Sequence, residues 1–134
     1  MRKMRWLVGI LLLLAACGGG VDVPVTVEII HLNHAPILPT VQDVEAILTE
    51  YGDLVSWQTV DFDTDAGKAF AEEHGLIDHT PIAIFVNGAM EMEVNGRLVK
   101  FYSFPQGEGV GDIVAEGTWT LADFRAALDQ ATGQ

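Results

Sequence analysis

The only cysteine of this chain, Cys17, stands at the end of an almost purely apolar run, and that placement limits the fold more than any other feature. Three positive charges at Arg2, Lys3 and Arg5 precede the run from Trp6 to Ala16, which closes on the small residues Ala15 and Ala16. A basic start, a short apolar stretch and a small-residue end form the layout of an export segment that is removed. Eleven residues rise only about 16 Å as a helix, roughly half the hydrocarbon thickness of a bilayer, so the run is not expected to span a membrane. Removing 16 of the 134 residues leaves 118, the size of one domain. One thiol allows no intramolecular disulfide and no two-thiol redox chemistry.

The junction Leu14-Ala15-Ala16-Cys17-Gly18 resembles the lipobox of bacterial lipoproteins. The resemblance implies a signal peptide over 1–16, a diacylglyceryl group on the Cys17 sulfur and an acylated new amino terminus. Several acyl tails meet the two-signal requirement for stable anchoring. The alternative is an ordinary signal peptide with an incidental cysteine. Residues 17–23, with Gly18 to Gly20, then read as a lipidated tether, and 24–134 as the folded domain. The expected location is the cell envelope, on the outer face of the cytoplasmic membrane or at the outer membrane. The lack of Asp directly after Cys17 favours the second by analogy. Loss of Arg2, Lys3 and Arg5 leaves four basic residues against 19 acidic ones, a net charge of −15. Such a surface repels phosphate backbones and anionic headgroups, so neither nucleic-acid binding nor a polybasic membrane contact is expected.

Val21 to Leu32 is rich in β-branched residues and reads as a first strand, with its core at Val25 to His31. It is apolar on both faces except for Glu28, the pattern of a central strand. After a loop from Asn33 to Pro39, Thr40 and Asp43 imitate a capping box, and Val41, Val44, Ile47, Leu48 and Tyr51 recur at helical spacing, predicting a helix over about 40–51. Leu54 to Phe62 predicts a second strand, residues 65–74 a short helix ended by Gly75, and Ile82 to Val86 a third strand. Asn87-Gly88 and Asn95-Gly96 are two-residue hairpin signals that bracket strands over 90–94 and 97–104. A long glycine-rich loop is expected over 105–117. Thr120 with Asp123 opens a last helix that carries Leu121, Phe124, Ala127 and Leu128 on one face.

The order strand, helix, strand, helix, strand, hairpin, helix fits an α/β layer fold with right-handed crossovers. The run Val60-Asp61-Phe62-Asp63, the helix through Phe70 and His74-Gly75, and Thr80-Pro81-Ile82-Ala83-Ile84-Phe85-Val86-Asn87-Gly88 resemble the thioredoxin family over roughly residues 25–88 plus the last helix. The resemblance implies a three-layer thioredoxin-like fold: a mixed sheet with helices on both faces, here with an extra C-terminal β-hairpin. It also implies a cis bond at Thr80–Pro81. One extra residue between Gly75 and Pro81 departs from the family pattern.

The same alignment puts His34-Ala35-Pro36-Ile37 where thioredoxins carry Cys-x-Pro-Cys, with His34 at the nucleophile position and Ile37 at the resolving position. Neither side chain can attack sulfur or release a mixed disulfide, so the family's activity does not carry over and no catalytic residue is assigned. Glu28 has the spacing of the family's buried acid. It would have a raised pKa if buried, or else pair with a neighbouring polar group.

The functional expectation is a redox-inactive, non-catalytic binding module whose binding loop is His79-Thr80-Pro81 and whose partner is a protein or peptide of the envelope. The alternative is a zinc or copper protein using His34, His79 and Asp78, with His31 near by, since two imidazoles and a carboxylate suit those ions. No other cofactor is expected. A third reading is an enzyme with unfamiliar chemistry at His34 and Glu28. Met90 and Met92 alternate with Glu91 and Glu93 and read as core-facing. Tyr102, Phe104 and Trp119 read either as an exposed aromatic surface or as packing against the last helix.

Overall fold

The computed structural model describes residues 23–77, 79–107 and 117–134. Cys17, its tether, Asp78 and most of the loop expected over 105–117 lie outside the described residues. Strand β1 (Val25–His31) is central, as its two apolar faces require. It pairs in parallel with β2 (Val55–Asp61), from Val25↔Val55 to His31↔Asp61, and antiparallel with β3 (Ile82–Val86), from Val27↔Val86 to His31↔Ile82. A mixed three-stranded sheet of order β2-β1-β3 results. Strands β4 (Glu91–Val94) and β5 (Arg97–Lys100) form a separate antiparallel pair, and three helices complete an α/β fold.

Helix α1 (Leu38–Glu50) begins two residues earlier than its sequence pattern predicts. Ile37 is the N-cap, without a side-chain cap bond, and Pro39 occupies the first turn, where its fixed φ and missing N–H carry no penalty. Thr40 is therefore a buried residue inside the helix and does not cap it. Helix α2 (Asp65–Glu73) is capped by Thr64, whose hydroxyl accepts from the Gly67 amide at 3.0 Å. Gly67 is obligatory, because a Cβ there would lie 2.0 Å from the Asp61 carbonyl oxygen. Helix α3 (Leu121–Thr132) opens with the expected capping box between Thr120 and Asp123. Burial alone would raise the Asp123 carboxyl, but hydrogen bonds from Thr120 and from Arg97, whose guanidinium lies at 2.8 Å, outweigh it and hold the pKa below the usual range.

Side chains alternate across β1 and β3, so the two faces of the sheet bury different partners. Phe85 points to the face covered by α2, where its ring meets Phe70 edge-on at 5.5 Å and His74 at 4.6 Å. Val25, Val27, Ile29 and Ile84 on the other face are buried beneath the α1–α3 pair. Helices thus lie on both faces. Both Asn-Gly pairs form tight turns with positive φ at each residue, the arrangement that matches strand twist. The return from the hairpin differs from a single strand over 97–104. The ladder with β4 ends at Lys100, and Phe101 to Ser103 then turns onto β3, where the Ile84 amide donates to Phe101 O and the Ser103 amide to Ile82 O. Tyr102, Phe104 and Trp119 pack inward and do not form an exposed surface: Phe104 and Trp119 are buried and Tyr102 is half-buried against the core. Met90 and Met92 pack against the same core.

The end of α1 is fastened to α3 by Tyr51, whose hydroxyl donates to Asp129 Oδ1 at 2.6 Å and lies 3.1 Å from Arg125 O, and by a two-bond ion pair between Glu50 and Arg125. Burial, followed by the hydrogen bond and the charge of Asp129, pushes the Tyr51 phenol up to about 12. A folded pKa above the ordinary value of about 10 means that this contribution is complete below pH 10 and is lost as pH rises through about 12. Tyr51→Phe is expected to lower stability by about 1–2 kcal/mol at neutral pH. It should also flatten the alkaline loss of stability in urea titrations between about pH 10 and 12.

Candidate functional site

The residues singled out from the sequence gather at one end of the sheet, where β1 stops and β3 starts. The Leu32 amide donates to Pro81 O at 3.0 Å, and the Phe62 amide donates to His31 O at 2.8 Å, so the loops after β1 and β2 and before β3 are joined side by side. Asp61 organises this end. Its carboxylate accepts from the Asn33 side-chain amide at 3.1 Å and from the Asp63 backbone at 3.0 Å. Asn33 and Asp61 are 28 positions apart, and nothing in their spacing pointed to the contact.

His34 is exposed and begins a turn closed by the Ile37 amide on His34 O at 3.1 Å. Ile37 is fully buried and ties the start of α1 to the core. The ends of such a turn lie within about 7 Å, which overlaps the Cα separation of about 4.4–6.8 Å that a disulfide needs. In a chain carrying Cys17→Ala, His34→Cys and Ile37→Cys, mild oxidation is therefore expected to remove two hydrogens from the intact mass. Two thiols that stay free would show that these positions do not face each other.

The turn before β3 corrects one expectation. No described peptide bond is cis, so Thr80–Pro81 is trans. Chain reversal is accomplished one residue earlier, by His79 in the left-handed region at φ 60°. The Thr80 amide at 3.3 Å and the Thr80 hydroxyl at 2.7 Å both donate to Ile77 O, closing the turn. Thr80 is buried, with its hydroxyl 3.3 Å from the Tyr102 hydroxyl, while His79 is exposed. Tyr102 thus joins this loop, a role its place in an aromatic run did not suggest.

Glu28 lies elsewhere. It is half-buried at mid-strand, its carboxylate accepts from Gln58 Nε2 at 2.9 Å, and it lines an open groove of about 320 Å³ with Thr26, Ser56 and Gln58. Its side chain is half-buried, not fully buried as the resemblance implies for the family's acid. Polar pairing with a neighbour accounts for it. Buried His31 places Nδ1 3.0 Å from Leu32 O. The fourth histidine, His74, stacks on Phe70 at 4.1 Å with Nδ1 2.9 Å from Phe70 O.

His34 and His79 therefore share one end of the fold, each two residues from the Leu32–Pro81 hydrogen bond. Among the described residues no group of three or more His, Cys, Asp or Glu side chains is placed to hold a metal ion, and Asp78 lies outside them. No family model, no curated protein and no solved structure matches this chain.

Proposed function

We propose that this chain is a membrane-anchored lipoprotein with a redox-inactive, thioredoxin-like domain that binds a protein or peptide of the cell envelope at the end carrying His34, Ile77 and His79. The strand order supports the thioredoxin-like reading. A parallel β1-α1-β2 unit is followed by α2, an antiparallel β3 on the other side of β1, an Asn-Gly turn and a terminal helix. Once Cys17 is acylated the mature chain holds no thiol, so recognition without thiol exchange is what remains of the family's chemistry.

The observation that carries the binding reading is the turn at His79. A non-glycine residue in the left-handed region costs of order 1–2 kcal/mol and persists where its surroundings over-determine it, typically at ligand clamps. Here the Thr80 bonds to Ile77 and the Leu32–Pro81 bond fix it from both sides. Because the Thr80 amide is engaged within the turn, it is not offered to an incoming strand, and recognition rests on side chains. Ile77 is 69% exposed, and His79 and His34 are exposed beside the same loops. The acidic chain suits a neutral or basic partner, with association weakened by salt.

Crosslinking in intact envelopes tests this. An Ile77→Asp, His79→Glu variant changes only exposed side chains and should keep the native circular dichroism. Loss of the partner adducts formed by the native chain is the expected result. An identical set of adducts from a folded variant excludes this end as the binding surface. Thr80 is unsuitable for the test, because it is buried.

A further inference from the structure

Five large apolar side chains are exposed among the described residues, and three of them lie at the start of the parallel strands: Val23, Leu54 and Trp57, at 82%, 41% and 38% exposure. Val23 and Leu54 line one cavity with Pro24, Asp53 and Ala131. Trp57, two residues after Val55 on the edge strand, lines the neighbouring groove with Thr26, Glu28, Ser56 and Gln58. This is also the end at which the chain arrives from Cys17. Val23 is six positions after Cys17, and a fully extended chain over that span reaches only about 20 Å. An acylated Cys17 therefore holds this apolar end within a short distance of the bilayer.

We infer that Val23, Leu54 and Trp57 form a lipid-facing foot that seats on the headgroup region of the anchoring membrane. The inference rests on the lipid anchor of the reading above. A tryptophan whose ring meets apolar surface while its N–H meets water suits that interface. Among the described residues no lysine or arginine lines the cavity, and Asp53 does, so the surface fits zwitterionic headgroups and is disfavoured by anionic ones. Strand β1 runs from the foot to the opposite end of the sheet, which lifts His34 and His79 roughly 20 Å away from the bilayer. Anchoring and partner binding then occupy opposite ends of one strand.

The test uses the chain extracted from its membrane, with acylation of Cys17 checked by intact mass, in phosphatidylcholine vesicles whose acyl chains are brominated near the headgroup. After loss of Trp6 only Trp57 and Trp119 emit, and Trp119 is 0% exposed, so bromine quenching reports Trp57. Emission is expected to fall by about half for a side chain seated at the headgroup–acyl boundary. Trp57→Phe should abolish the quenching, and Leu54→Asp should weaken it while the protein stays anchored. An acylated chain whose Trp57 is untouched by bromine overturns the foot and leaves the anchor standing. If Trp57 is also shielded from iodide in that state, a second copy covers it, which overturns the foot equally. An unacylated Cys17 removes the anchor, and the foot with it.

Discussion

Cys17→Ala is expected to move essentially all of the protein out of the membrane fraction. No described helix is long and apolar enough to cross a membrane, and a formal net charge of −12 opposes adsorption to anionic lipid. On the proposed reading the affinity comes from acyl chains, at about 0.8 kcal/mol for each buried CH₂, which three exposed apolar side chains are too few to replace. The native chain isolated from membranes should begin at Cys17 and carry the mass of its acyl groups. The alanine variant should lack that mass and appear in the soluble exported material. A native chain that begins at another residue, or begins at Cys17 without added mass, would refute lipidation.

What the sequence revealed about this fold was what is decided within a few residues. Asn87-Gly88 and Asn95-Gly96 form turns wherever strands flank them, and Thr120 with Asp123 closes a capping box inside a single turn. Thr40 with Asp43 shows the same spacing and does not cap, because burial of Ile37 and the proline at position 39 start α1 earlier. The trans bond at Pro81 was hidden for a related reason. Its isomer depends on how Ile77 to Thr80 close their own turn and on a hydrogen bond from Leu32, which lies 49 positions away. Glu28 had the spacing of a buried acid, but Gln58 on the neighbouring strand engages it, and that pairing depends on the β1–β2 register. The end of the fold carrying His34 and His79 was legible because β1 and β3 both converge on it. The Asn33–Asp61 contact and the part played by Tyr102 required the assembled sheet.

Trp119→Ala is expected to cost about 3–5 kcal/mol, a large share of the roughly 5–15 kcal/mol that holds a domain of this size together. Trp119 is fully buried, and its ring meets the Phe101 edge at 5.7 Å, while Phe101 meets Phe124 of α3 at 5.7 Å. Its indole N–H donates to Ser103 O at 3.0 Å, and its carbonyl accepts from the Gln106 amide at 2.6 Å. The side chain thus joins the segment entering α3 to the segment that pairs with β3, and truncation leaves both a cavity and an unpaired buried carbonyl. Trp119→Phe separates the two losses. It retains most of the volume and removes only the hydrogen bond, for an expected cost nearer 1–3 kcal/mol. Trp57→Phe, at the exposed edge, should stay within about 0.5 kcal/mol of the native chain. Urea midpoints of the three variants at neutral pH, with equal m-values, check the order. A Trp119→Ala midpoint indistinguishable from that of Trp57→Phe would mean that the aromatic cluster does not join α3 to the sheet.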